Sequence, residues 1–324
     1  MKQKIKRLIY SIGLMSLYHR FRNRNTLTVL MFHRILPTKL AIEQGADPEW
    51  TLSPELLDSL IKFVKQNYNL VSLKQLQNWQ QKKETLPSRA LLLTFDDGWA
   101  DNCIFALPII KKNNVAAVIH QVSDCVDNVD FLWQEQLVIL SKLNPLSYQR
   151  LVNHIQFSGE SVVDLITDIG HDVFRITQIK EQLILFFPEA ETMMLSKVDL
   201  QKMLVGGFEL SSHGKTHSKL TNLNNIEIEA ELSESKRALE TINETAVTSI
   251  SFPHGGVNTD IIQASTKAGY STLFTSAPVV NELKQHSKIF GRVHISTKLI
   301  SEAGKFSAKE MAYLLFNRKK ITLK

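Results

Sequence analysis

The chain has 324 residues, enough for one large α/β domain or two small ones, and its 44% hydrophobic and 22% charged residues are the balance of an ordinary soluble globular protein. Two cysteines, Cys103 and Cys125, exclude a disulfide framework and a Cys-x-x-Cys metal site. The formal charge of +6 is mildly basic, so where the excess sits matters more than its size.

Residues 1–24 stand apart. Lys2, Lys4, Lys6 and Arg7 precede a short apolar run, Leu8 to Tyr18, and Arg20, Arg22 and Arg24 follow it. Ile5, Leu8, Ile9, Ile12 and Met15 share a helical face. The run is short for a bilayer span. It has the outline of a signal peptide, but no small-x-small cleavage site follows. Two readings stand side by side: a basic amphipathic helix on an anionic membrane surface, or a helix packed on its own domain. No nucleic-acid fold surrounds the basic stretch, so nucleic acid is not an expected partner.

Residues 25–324 read as one domain. Thr26 to Phe32 is a buried-strand pattern followed by His33-Arg34. Residues 38–52 read as a loop. Ser53-Pro54-Glu55 starts a helix with a Ser cap, Pro at the first position and an acid in the first turn. Leu70 to Leu73 reads as a short strand and the residues after it as a helix. Leu91-Leu92-Leu93-Thr94-Phe95 is a strand buried on both faces, and it ends in Asp96-Asp97-Gly98. Adjacent strand residues point to opposite sides, so both carboxylates serve one site only if the backbone turns there, as Gly98 permits.

A helix through Ala106 to Lys112, with Pro108 in it, and a strand over Val115 to Val122 continue the strand–helix alternation, which argues for a parallel sheet. Residues 126–194 break that rhythm with helical patterns (131–143, 147–155, 161–169 and 176–187) and read as a mainly helical insertion. Its aromatic entry, Phe131-Leu132-Trp133, either lines a cleft or anchors the insertion. The alternation resumes with a strand over Phe208 to Ser212, a Glu-rich helix over Asn224 to Glu240, and a strand over Val247 to Phe252 that ends in Pro253-His254-Gly255-Gly256. Ser271–Phe274 and Phe290–Ile295 are the last strands, and Met311 to Phe316 lies in a terminal helix.

Ser211-Ser212-His213-Gly214-Lys215-Thr216-His217 ends one of these strands. Two histidines four apart on a helical turn reach one ion, and beside an unassigned carboxylate pair they suggest a two-His, one-carboxylate site. His33 also ends a buried strand, where it either reaches this site or bonds to backbone. His120, His154, His171 and His286 read as structural or surface residues.

These motifs resemble the polysaccharide deacetylases, the carbohydrate esterase family with the NodB-type homology domain. The likeness lies in Thr94-Phe95-Asp96-Asp97-Gly98, in His213-Gly214-Lys215-Thr216-His217, and in Ser251-Phe252-Pro253-His254-Gly255-Gly256. The flanks Met31-Phe32-His33-Arg34-Ile35, Asp101-Asn102 and Ala106-Leu107-Pro108 resemble one branch of it. The resemblance implies a distorted (β/α) barrel. It implies that Asp97, His213 and His217 hold a divalent metal, Zn2+ before Co2+, Ni2+ or Mn2+, that Asp96 is the general base, and that the Pro253-His254-Gly255 turn offers a backbone N–H to an oxyanion.

The family's pattern is not complete. Position 214 is Gly where Ser or Thr is usual, and His254 stands for a tyrosine. The arginine that orients the catalytic Asp is absent before the third motif, so Arg34 or Arg292 has to substitute. The late Leu-x-His motif is degenerate; His294 is its nearest match, and Arg292 the better candidate for the pocket. The implied activity is removal of an acetyl group from an N-acetylated sugar in a surface polysaccharide or its lipid-linked precursor. Deformylation, O-deacetylation, or a non-catalytic carbohydrate-binding role on the same fold are the alternatives. The expected place is the cytoplasmic face of a membrane, with export as the alternative.

Overall fold

Runs of aliphatic, β-branched and aromatic residues without charge build the centre of the molecule. In the computed structural model, which describes residues 9–128, 132–170, 172–186, 193–284 and 287–323, they form six parallel strands. These are β1 (Thr26–Phe32), β2 (Ala90–Phe95), β3 (Ala117–Gln121), β4 (Phe208–Ser212), β5 (Ser249–Ser251) and β6 (Thr272–Thr275), side by side in that order. All residues of β1, β2 and β3 are buried, as expected where helices cover one face of a sheet and side chains fill the other.

The last strands close the sheet. β7 (Val280–Glu282) runs antiparallel to the start of β1. β8 (Ile289–Gly291) then pairs with β6, and β9 (Val293–His294) pairs with β1. One stretch, 289–294, therefore joins both edges, and the result is a (β/α) barrel of seven strand positions among the described residues. Gly291 makes the change of partner feasible: a Cβ there would meet the Ala277 carbonyl oxygen at 2.4 Å. The Asn281 side chain bonds both Gly291 N–H (2.7 Å) and Gly291 C=O (2.8 Å), which satisfies backbone groups that the sheet leaves open at the switch.

Helix Pro54–Asn67 starts as the sequence dictates, with the Ser53 hydroxyl accepting from Leu56 N–H, and it buries Leu57, Leu60, Ile61 and Val64. Some expectations change. Residues 38–52 are not all loop: they contain helix Thr38–Glu43 and a two-residue strand, Thr51–Leu52, that pairs with Arg34–Ile35. Only a partner outside the segment reveals that strand. Leu70 to Leu73 splits, with Asn69–Leu70 as strand and Ser72 capping helix Leu73–Gln80. The helix after Gly98 opens with a π-turn, Asn102–Ala106, ahead of Leu107–Asn113, where Pro108 has no N–H for a regular turn.

Between β3 and β4 lie helices Trp133–Leu143, Pro145–His154, Val162–Ile169 and Val173–Phe186. They share a core of their own, including Trp133, Leu137, Leu140, Leu151, Leu165, Ile179 and Leu183. Leu132 and Trp133 are buried, so they anchor the insertion, while Phe131 lies outside the described residues. His171, His286 and residues 1–8 lie outside them as well. Helix Leu14–Arg22 packs Met15 and His19 inward, with the His19 ring stacked 4.1 Å from Phe316. Its other face leaves Leu14, Leu17, Tyr18 and Phe21 exposed. Among the described residues, no helix is long and apolar enough to cross a membrane.

Candidate active site

The site gathers at the carboxyl ends of the barrel strands, where (β/α) barrels place their chemistry. At the end of β2 the backbone turns through left-handed conformations at Asp97 (φ 74°) and Gly98 (φ 92°). The turn brings both carboxylates to one cleft, against the alternation of a strand. Glycine suits position 98, because its φ is one that side chains strain and a Cβ would displace the Gln121 amide.

The histidine segment beyond β4 is not the helical turn that its spacing suggests. It is a loop with left-handed backbone at Gly214 (φ 78°) and His217 (φ 62°). Glu231, buried on helix Asn225–Asn243, shapes it by accepting from Lys215 N–H (2.8 Å), Thr216 N–H (3.1 Å) and the Thr216 hydroxyl (2.6 Å). Glycine suits position 214 twice over: its φ is positive, and a Cβ would crowd Glu231 Oε2 at 3.2 Å.

The loop brings His213 Nε2 to 3.4 Å and His217 Nε2 to 3.3 Å from Asp97 Oδ1. His213 Nδ1 donates to the Ser251 carbonyl at 2.8 Å, which leaves Nε2 as a lone pair facing a carboxylate. Asp97 Oδ1 is buried and has no hydrogen-bond partner among the described residues. Its other oxygen accepts from Trp99 Nε1 at 2.9 Å. Two acceptors that face each other in a buried place fit a cation between them, and the three ligand atoms lie within 4.8 Å of one another. The donor set of two imidazole nitrogens and one carboxylate oxygen suits a divalent ion with open positions.

Asp96 stands beside this cluster, its Oδ2 3.8 Å from His213 Nε2. Arg292 grips it with two parallel bonds of 2.6 and 2.7 Å, and both side chains are buried. Burial alone would raise the Asp96 carboxyl; the Arg292 charge outweighs it and holds the group well below the usual carboxylate range. Arg292 is itself fixed by the Thr275 carbonyl (3.2 Å) and the Thr94 hydroxyl (3.3 Å). Arg34 instead pairs with Asp101 at 2.8 Å and packs over Trp99. Of the two arginines the sequence offers, Arg292 is therefore the one that meets Asp96.

The remaining residues divide. His33 lines the cleft with Nε2 4.0 Å from Asp96 Oδ2, and burial pushes its pKa down to about 4. His254 and Gly255 also line it, the His254 ring 4.7 Å from His217; Pro253 fixes the turn behind them. His294 points elsewhere: it bonds the Glu49 carbonyl at 2.7 Å and packs against Trp50, off the cleft wall. His120 is buried inside the barrel and His154 is exposed. Sequence reasoning missed Trp50, Trp99, Glu135 and Glu231. Trp99 follows the Asp-Asp-Gly motif directly, which was the available signal. Glu231 is hidden in a Glu-rich helix, and Trp50 and Glu135 reach the cleft from segments without a motif.

Fold and site together define a (β/α)-barrel protein with a carboxylate–histidine cluster and an arginine-held carboxylate at the strand ends. Residues 83–273, more than half of the chain, match the polysaccharide deacetylase family, and the chain belongs to that family. It is 21% identical over 224 residues to YxkH of Bacillus subtilis, which carries a polysaccharide deacetylase name; the match covers 69% of this chain and 57% of that relative. The chain thus spans little more than half the length of this curated relative.

Solved structures share the fold. The deacetylase PplD of Streptococcus pyogenes, in complex with acetate, has TM-score 0.61 and 15% identity over 90% of this chain and 99% of that one. A de-N-acetylase of Aggregatibacter actinomycetemcomitans has TM-score 0.60 and 18% identity over 90% and 100%. IcaB of Ammonifex degensii has TM-score 0.59 and 14% identity over 90% and 97%.

Proposed function

We propose that this protein is a metal-dependent hydrolase that removes the acetyl group from an N-acetylated sugar of a surface polysaccharide or its lipid-linked precursor. Family membership supports the sugar and the reaction class; the residues support the chemistry. The observation that carries it is the buried, unpartnered Asp97 Oδ1 facing two imidazole nitrogens, next to a carboxylate kept ionised by Arg292. Asp97, His213 and His217 would hold the ion, most consistent with zinc, which when bound supplies Lewis acidity and acidifies water for attack at neutral pH.

The chain's own residues do the rest. Asp96 takes the proton of the attacking water, and Arg292 fixes the carboxylate in place and keeps it ionised. Gly255 N–H is engaged by the Phe252 carbonyl and Pro253 has none, so the His254 N–H is the donor this turn offers the oxyanion. The amine nitrogen needs a proton to leave. His294 is turned away, so delivery falls to the cleft wall, where the Arg292 charge makes protonated Asp96 a strong acid. The apolar outer face of helix Leu14–Arg22, beside exposed Arg20 and Arg24, supports peripheral contact with an anionic membrane, and we infer from that contact a lipid-linked substrate, with the protein at the cytoplasmic face.

The test is metal content together with acetate release from N-acetylated oligosaccharides. About one zinc per chain is expected in the parent, lost in His213→Ala and in His217→Ala, with acetate release lost alongside. A parent that takes up no zinc or cobalt on reconstitution would overturn this reading.

A further inference from the structure

The insertion does not only decorate the barrel. The first turns of its helix Trp133–Leu143 form part of the cleft wall through Glu135, Val138 and Ile139. The helix is firmly seated there. Trp133, Leu137 and Leu140 are buried in the insertion's core, and Gln136 is buried with its amide on Met193 Sδ. At its far end Lys142 pairs with Asp47 at 3.1 Å, on the 44–51 segment that supplies Trp50 to the same cleft. Leu143 packs so closely on Gly45 that a Cβ there would lie 2.8 Å from Leu143 Cγ. Helix and segment thus hold each other at the mouth.

Glu135 sits third in this helix, where a glutamate usually reaches back to the N-cap N–H. It does not do so here. Its carboxylate, half-buried, makes no hydrogen bond or ion pair with any described residue, yet it lines the cleft with Asp97 and His217. Burial, with the Asp97 charge, pushes its carboxyl up from the ordinary value. A carboxylate placed at a desolvation cost without a partner is suited to one that arrives from outside. Beside it, Val138 and Ile139 offer an apolar surface, and Trp50, 40% exposed, offers an aromatic face. Apolar patches next to an acceptor match a sugar ring, which has C–H faces and hydroxyl edges.

We propose that Glu135 is a substrate-binding residue, accepting hydrogen bonds from hydroxyls of the sugar that carries the acetamide. This rests on the hydrolase reading above and assigns the insertion a part in choosing the sugar.

The test compares zinc-loaded parent, Glu135→Gln and Glu135→Ala on two substrates: tetra-N-acetylchitotetraose and the sugar-free p-nitrophenyl acetate. The alanine variant is expected to lose at least tenfold in kcat/KM on the oligosaccharide relative to the aryl acetate, mostly through KM. Glutamine keeps an acceptor oxygen and is expected to recover most of the loss. Equal losses on both substrates, or none on the oligosaccharide, would overturn the inference and leave the hydrolase reading standing. So would a loss confined to kcat with glutamine as deficient as alanine, which marks a proton donor, or a fall in bound zinc, which marks a ligand. A parent that cleaves the aryl acetate but neither binds nor deacetylates the oligosaccharide would also overturn it. A zinc-loaded parent inert on both substrates fails the hydrolase reading itself, and this inference with it.

Discussion

Arg292 meets Asp96 fork to fork, with bonds of 2.6 and 2.7 Å, at the floor of the cleft where both side chains are almost fully buried. Lysine cannot reproduce that fork. In Arg292→Lys one bond is lost, burial is opposed less, and the Asp96 carboxyl rises. The carboxylate form then disappears at a higher pH, so the acid limb of the kcat/KM profile should move upward, with kcat down by about 10- to 100-fold. An unmoved acid limb would show that Asp96 is not the group that titrates. Asp96→Asn should abolish acetate release while the bound zinc stays; retained activity would remove Asp96 from the base role. At this scale the sequence was informative wherever a residue lay in a contiguous motif. Asp96, Asp97, His213 and His217 stood out that way. Trp99 bonds Asp97 and Glu231 shapes the histidine loop, but neither is itself a motif residue. Glu231 is 14 residues beyond His217 in a helix whose other glutamates cap its start or pair with lysines.

The histidine loop shows what periodicity misreads at the level of elements. A spacing of four suits a helix, but Gly214 and a left-handed His217 build a loop, and Glu231 supplies the hydrogen bonds that helical backbone would otherwise have made. Glu231→Ala should therefore lower zinc affinity by about 10- to 100-fold, read by competition with a chelator, and should do so without altering the ligands themselves. An unchanged affinity would mean the loop holds its shape alone. The N-terminal helix carries a second element-level consequence. His19 is buried against Phe316 and Tyr68, and burial depresses its pKa to about 4. Above its unfolded value of about 6.5 neither state binds the proton. As pH falls from there toward 4 the unfolded chain takes the proton first, so stability drops across that window. His19→Phe should lessen the dependence of the thermal midpoint on pH between 6.5 and 4, to which His33 also contributes; a parent and variant that decline in parallel would rule His19 out as a source.

Across the whole molecule, the parallel barrel follows from strand–helix alternation and from uninterrupted apolar strands, both of which a sequence displays. Its closure does not. That depends on Gly291 and Asn281, which let 289–294 leave β6 for β1, a long-range pairing with no local signature. The same limit applies to the outer face of helix Leu14–Arg22, since a sequence shows a stripe but not which side is covered. The structure covers Met15 and His19 and leaves Phe21 68%, Leu17 52% and Leu14 50% exposed, with Arg20 and Arg24 exposed beside them. Burying one such side chain is worth about 1.5–3 kcal/mol, and each nearby cation adds about 1 kcal/mol at an anionic surface. Together these terms suffice for reversible attachment, and they predict a particular dependence. The protein should co-sediment with vesicles rich in phosphatidylserine and less with phosphatidylcholine alone, the difference shrinking as salt rises. Leu17→Ser with Phe21→Ser should weaken the binding at least tenfold on both, because it removes the apolar part and leaves the charge. Equal sedimentation of parent and double variant would mean that this face has another partner, and that the sugar reaches the cleft from solution.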